Sequence, residues 1–124
     1  MWTQKDSYAD LRKCLNWYQA NKYVENLEIG GYTDWRLPRV AEYGMIYDNT
    51  KKNNMAWDHD ENQLLALSEQ FADGAAYWYW SAEYNDNELS DCCARIAYFV
   101  TGRAFWRNLT NCKNGGVRAV RDLN

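Results

Sequence analysis

Two hydrophobic periods divide this chain. Between Tyr18 and Leu27, the residues Ala20, Tyr23, Val24 and Leu27 recur at three- and four-residue spacing, which puts them on one face of a helix that ends before Gly30. Val40, Tyr43, Ile46 and Tyr47 repeat that spacing after Pro38 and predict a second helix. Gly44 lies inside it, and a glycine there costs about 1 kcal/mol relative to alanine, so this helix is expected to be short or irregular. Leu64, Leu65, Leu67 and Phe71 give apolar surface to a third short helical stretch, Gln63 to Phe71. From Tyr77 onward the period changes. Tyr77–Trp80, Arg95–Val100, Arg103–Trp106 and Val117–Val120 have the aromatic and β-branched content of strands. Thr101-Gly102 is a turn signal, so Ala94 to Asn108 reads as an antiparallel hairpin, and Asn111 to Gly116 reads as a second turn region. Trp2 to Trp17 reads as an entry segment, either an edge strand or a lead into the first helix. The pattern predicts an α+β domain in which two or three helices cover a small, aromatic-rich antiparallel sheet.

A constrained loop, Gly30 to Pro38, separates the first two helical stretches. Paired glycines permit positive φ at a tight reversal and the chain's one proline fixes the exit. Trp35 and Leu37 inside it are expected in the core, and Arg36 and Asp34 are expected as a structural ion pair or as groups that satisfy backbone atoms. On the hairpin, Arg103, Phe105 and Arg107 share one face, and Ala104, Trp106 and Asn108 share the other. Phe105 is the better core residue of the adjacent pair; Trp106, with Asn108 and Asn111, is the better solvent-facing platform.

Composition narrows the range of functions. At 124 residues the chain, 1–124, is expected to be a single domain, a module of a longer protein. Its 10 Tyr and 7 Trp against 3 Phe favour side chains with a polar handle, which suit half-buried sheets and recognition surfaces. A net charge of -3 argues against a nucleic-acid binder driven by backbone contacts. No apolar run has the length of a membrane span, so no membrane insertion by this domain is expected. No signal peptide precedes Trp2, and Met1 reads equally as an internal residue.

Candidate chemistry is sparse. Cys14, Cys92, Cys93 and Cys112 lack zinc-type spacing, and four cysteines allow three full pairings. One of the adjacent pair bridging Cys112, with the other packed inward or reaching Cys14, competes with buried free thiols and with metal binding. Asp58, Asp60, Asn62 and Glu69 have the oxygen spacing of a calcium loop, but Gln63 stands where its sharp turn needs glycine, so a solvated loop is expected and no metal. His59, the one histidine, lies in the same charged stretch and is expected to be exposed. Phosphate loop, dinucleotide fingerprint, nucleophile elbow and zinc-protease helix are all missing from the sequence, and neither a catalytic residue nor a cofactor is expected.

Gly30-Gly-Tyr-Thr-Asp-Trp-Arg-Leu-Pro38, followed by Val40, Glu42 and Ile46-Tyr47-Asp48, resembles the signature of the Legionella collagen-like protein C-terminal domain family. Met1-Trp2-Thr3 with Leu15-Asn16-Trp17, then Tyr79-Trp80-Ser81-Ala82-Glu83, then Gly116-Val117-Arg118-Ala119-Val120-Arg121 extend the resemblance in order along nearly the whole chain. Tyr43-Gly44 departs from it, since the family's helix usually carries leucine or lysine there. The resemblance implies a C-type lectin-like fold of the formylglycine-generating-enzyme branch, a scaffold also used by variable proteins of diversity-generating retroelements. It implies an oxidase only if paired reactive cysteines bind copper, and Cys92-Cys93 does not supply a separated pair on one strand.

In such diversified domains exposed positions of the C-terminal region vary over a fixed scaffold. The candidates here are Tyr84, Asn85, Asn87, Arg103, Trp106, Asn108, Asn111 and Asn114, accompanied by Glu88 and Phe105. Aromatic anchors among adaptable amides and arginines have the composition of a paratope, although the same residues also read as ordinary loop polars and core aromatics. The expected partner is a protein or glycan ligand. The expected setting is a cell surface, extracellular space or virion, reached through an upstream targeting segment.

Overall fold

The computed structural model describes residues 1–51, 66–67, 71, 76–85 and 93–122. Among them, three short helices pack around a four-stranded sheet, the α+β arrangement expected. Helix α1 (Ser7–Leu11) was not anticipated as a helix. Its signal is Asp6, whose Oδ1 accepts from Ala9 N at 2.8 Å and caps the first turn, while Arg12 at φ 57° ends it in the left-handed region. Helix α2 (Trp17–Glu25) opens on a reciprocal box in which Asn16 Oδ1 accepts from Gln19 N and Gln19 Oε1 accepts from Asn16 N, both at 2.9 Å. It buries Ala20 and Val24, two of the residues that define its periodicity. Helix α3 (Val40–Tyr43) is one turn long, as the glycine at its end foreshadows.

The sheet runs β3-β2-β1-β4, with β1 (Trp78–Asn85), β2 (Cys93–Tyr98), β3 (Ala104–Asn108) and β4 (Gly115–Gly116). Strands β1, β2 and β3 are antiparallel neighbours, and Gly102 at φ 79° turns β2 into β3. The expected all-antiparallel sheet is corrected at its other edge, where β4 pairs parallel with Trp78 and Tyr79. Residues 117–120 do not extend that strand. Their backbone is drawn elsewhere: Ser7 N donates to Val117 O, Thr3 N to Ala119 O, and Val120 exchanges bonds with Arg36.

Alternation on β1 builds a core on each face of the sheet. Trp78 and Trp80 face Leu15, Ala20, Val24, Trp35 and Leu37. Tyr79 faces Tyr8, Tyr43, Leu67 and Phe99 on the other side. Trp35 and Leu37 are 6% and 8% exposed, which confirms the constrained loop as a core anchor. Ser81 to Glu83 break the β1–β2 register against the single residue Arg95, and Ala82 N instead donates to Pro38 O at 2.8 Å. That bulge joins the strand half to the loop that precedes α3. No helix among the described residues is long and apolar enough to cross a membrane.

Candidate binding surface

A buried ionic node fixes the two ends of the chain against the sheet. Arg118 and Asp6 are fully enclosed, 3.8 Å apart, and linked through Tyr79: Arg118 Nη2 donates to Tyr79 Oη at 3.1 Å, and Tyr79 Oη donates to Asp6 Oδ2 at 2.6 Å. Arg118 Nη1 also donates to the carbonyls of Thr3 and Gln4, and Asp6 Oδ2 accepts from Ala76 N. Burial opposes the charge on Arg118, but Tyr79 and Asp6 outweigh it and hold its pKa above the ordinary value. Burial likewise keeps the phenols of Tyr79 and Tyr43 protonated far above the usual range. A neutral phenol donates in one direction and accepts in the other, which is what Tyr79 does here. These groups are closed to solvent, so they position the surface and do not contact a ligand.

The loop residues expected to be structural form ion pairs, though not with each other. Arg36 clasps Glu42 through two bonds of 2.8 and 2.7 Å and reaches Asp122 at 2.9 Å. The guanidinium holds the Glu42 carboxyl down to a pKa of about 2, helped by Arg39 N. Asp34 pairs with Arg121, whose guanidinium carbon stands 3.6 Å from the centre of the Tyr32 ring.

The strand residues expected to bind ligand separate onto two faces. Register sets Trp106 beside Arg95 and Asn108 beside Cys93 on one face, and Phe105 and Arg107 follow Ile96 and Ala94 on the other; Asn85 is the backbone partner of Cys93 on β1. Trp106 is 52% exposed, as expected of a platform, with the Arg95 guanidinium 5.8 Å from its ring and Glu83 holding Arg95 at 3.0 Å. Phe105 is corrected. It is 46% exposed instead of core, because among the described residues β3 is the outer strand and no helix extends over it. Arg107 does the covering, with its guanidinium carbon 4.4 Å from the Trp78 ring.

Tyr84 is exposed and stacks on Trp17, ring centres 5.1 Å apart, so it lies with α2 and away from Trp106. Asn108 Oδ1 and Asn111 Oδ1 each accept a backbone N–H two residues on, giving Asx turns that shape the chain after β3. Asn114 takes φ 64° and its carbonyl accepts from Tyr77 N. Arg103 is exposed at the hairpin turn, its backbone bonded to Thr101 and Tyr98. Asn87, with Glu88, lies outside the described residues, as do His59, Cys92 and the calcium-like pattern; so does the expected third helical stretch, apart from Ala66, Leu67 and Phe71.

Cys112 is bonded to Cys14, with Cα atoms 5.3 Å apart, and not to the adjacent pair. Cys93 is itself disulfide-bonded. Spacing had no means of revealing this, because the two partners meet only after β4 folds back along β1 and carries the preceding turn to the start of α2. No group of three or more potential metal ligands occurs among the described residues.

Two concavities flank these features. One of about 860 Å³ lies between α2, the 30–38 loop, α3 and the β1 bulge, with Trp17, Val24, Trp35 and Leu37 as apolar lining and Glu25 and Arg39 among its polar groups. The indole N–H groups of Trp17, Trp78 and Trp80 each donate to a carbonyl, whereas buried Trp35 Nε1 has no hydrogen-bond partner among the described residues. A second of about 500 Å³ opens beside Trp78 and Arg107.

Fold and surface together define a small mixed-sheet α+β domain, closed at its termini and carrying exposed aromatic and amide groups on its outer hairpin. The chain belongs to the Lcl C-terminal domain family, whose model matches residues 1–121. No curated protein matches it significantly.

Proposed function

We infer that this domain is a non-catalytic ligand-binding module built on the C-type lectin fold of the formylglycine-generating-enzyme branch. In this reading it presents changeable side chains from its outer hairpin, in the manner of the variable proteins of diversity-generating retroelements. The observation that carries the reading is the exposure of Trp106, half open to solvent on a strand whose backbone is paired along its length with β2. A rigid indole on a rigid strand offers large contact area at little entropic cost. Its neighbours Arg95 and Asn108 supply a cation and an amide at the rim of the same face.

A second reading is a carbohydrate-binding or adhesive module of a surface protein, favoured by membership of the Lcl C-terminal domain family and by the open indole face of Trp106. Binding to a glycan array and to a panel of candidate protein ligands separates the two. Loss of glycan binding in Trp106→Ala supports the carbohydrate reading, and loss of binding to a protein ligand supports the receptor reading. Unchanged binding of every ligand in that variant rules out the Trp106 face. A near-identical repeat beside a reverse-transcriptase gene, differing at adenines, is the genomic observation that tests diversification.

A further inference from the structure

The concavity beside β3 has a charge character that the chain as a whole lacks. Its lining includes Arg107 and Lys113, the amides of Asn111 and Asn114, the Tyr98 ring and the Trp78 indole, and no acidic residue is among the described residues that form it. In a chain of net charge -3 this is a local concentration of donors and positive charge. Arg107 is pre-oriented by its guanidinium lying over Trp78, and its Nη1 stands 3.5 Å from Asn111 Oδ1. Lys113 is exposed, and its carbonyl, held by Trp78 Nε1 at 2.9 Å, ties its backbone to the same indole. Phe105 extends the site as an apolar ledge, 46% exposed and edge-on to Tyr98 at 6.4 Å.

From this geometry we propose that the concavity takes a carboxylate side chain of a protein ligand, with an apolar residue two positions along that ligand resting on Phe105. The proposal goes beyond the Trp106 reading, since Arg107 and Trp106 project from opposite faces of β3. Three observations favour a peptide over a free anion. The walls are planar groups, a stacked guanidinium and two amides, which match a planar carboxylate. An apolar ledge lies directly beside the cations. And β3 is the last strand on its side of the sheet among the described residues, so an extended acidic segment can lie along it with alternate side chains toward Phe105 and Arg107.

The test uses three probes at fixed ionic strength, read by calorimetry or fluorescence anisotropy: an acetylated peptide that carries valine and glutamate two positions apart with threonine between them, so that both side chains reach one face of the extended chain, its glutamine counterpart, and a sulfated oligosaccharide of equal charge. Saturable one-to-one binding of the glutamate peptide is expected, at least tenfold tighter than the glutamine version. Lys113→Glu should weaken it at least tenfold with an unchanged melting temperature, and Arg107→Gln should do the same in any preparation that remains folded. Lys22→Glu on α2, which makes the same change in net charge, should leave affinity within twofold. Absence of saturable peptide binding, a Lys113→Glu effect below twofold, or tighter binding of the sulfated oligosaccharide than of the peptide overturns the proposal. None of these results bears on Trp106→Ala, so failure here leaves the display reading to its own test.

Discussion

The tryptophans of this chain divide by what surrounds the indole. Trp78 and Trp80 are sealed between sheet and helices with their N–H groups bonded to carbonyls; Trp35 is sealed without a partner among the described residues, and Trp106 stands open. Trp35→Ala should therefore cost about 3 to 5 kcal/mol, the range for truncating a large buried aromatic. Trp106→Ala should stay within about 0.5 kcal/mol, as for a surface site. Thermal or denaturant unfolding decides both, and a collapsed Trp106→Ala protein would exchange the roles of the two β3 faces. Charge at the residue scale gives a pH dependence. Glu42 has a folded pKa of about 2 against about 4.3 unfolded, so its pairing with Arg36 stabilises fully above the unfolded value and is lost as pH falls through 2. Glu42 is partly exposed, so solvent screening limits the contribution to about 1 kcal/mol or less. Wild type and Glu42→Gln should differ in melting temperature at pH 6 and converge near pH 2; an equal gap at both would show that the carboxylate charge is not what stabilises the loop.

Among the elements, those with a strong local signal were readable in the sequence and those made by distant partners were not. Helix α2 was legible because Ala20 and Val24 carry its period, and the hairpin because Thr101-Gly102 marks its turn. Helix α1 was not, since five residues hold too little periodicity and its start depends on Asp6, whose second oxygen serves Ala76 and Tyr79 far along the chain. The exposure of Trp106 was legible from alternation on β3. The exposure of Phe105 was not, because alternation assigns a face but does not say how far the helices extend over it. Cys14–Cys112 is the clearest long-range case: its sequence separation is 98, so it closes nearly the entire chain. In the chain-entropy view a loop of that size is worth about 4 to 5 kcal/mol. Reductant should lower the melting temperature substantially, and Cys14→Ser with Cys112→Ser should reproduce most of that loss, leaving to reductant only what the bridge at Cys93 contributes. A double variant melting with the wild type would remove the bridge from the account of stability.

The whole molecule is held by contacts between its ends. Arg121 N donates to Met1 O, Thr3 N to Ala119 O and Ser7 N to Val117 O, while Arg118 reaches the carbonyls of Thr3 and Gln4 from inside the core. The two cores are not independent units, because each takes its central aromatics from alternate positions of the same strand, β1. Opening the Trp78 and Trp80 side strips the backing from Tyr79, and opening the Tyr79 side unpairs Arg118 and Asp6, a step that breaking a buried ion pair makes strongly unfavourable. The domain should accordingly unfold as one unit. Tryptophan fluorescence reports chiefly on one core, while tyrosine near-UV dichroism reports on the other, and the two transitions should coincide in midpoint and slope. Hydrogen exchange gives the finer check: the amides of Ser7, Val117, Tyr79 and Ile96 should share one opening free energy equal to that of global unfolding. Two separated fluorescence and dichroism midpoints, or Ser7 and Val117 exchanging well before Ile96, would show that the ends detach first and that the ionic node closes the fold without holding it together.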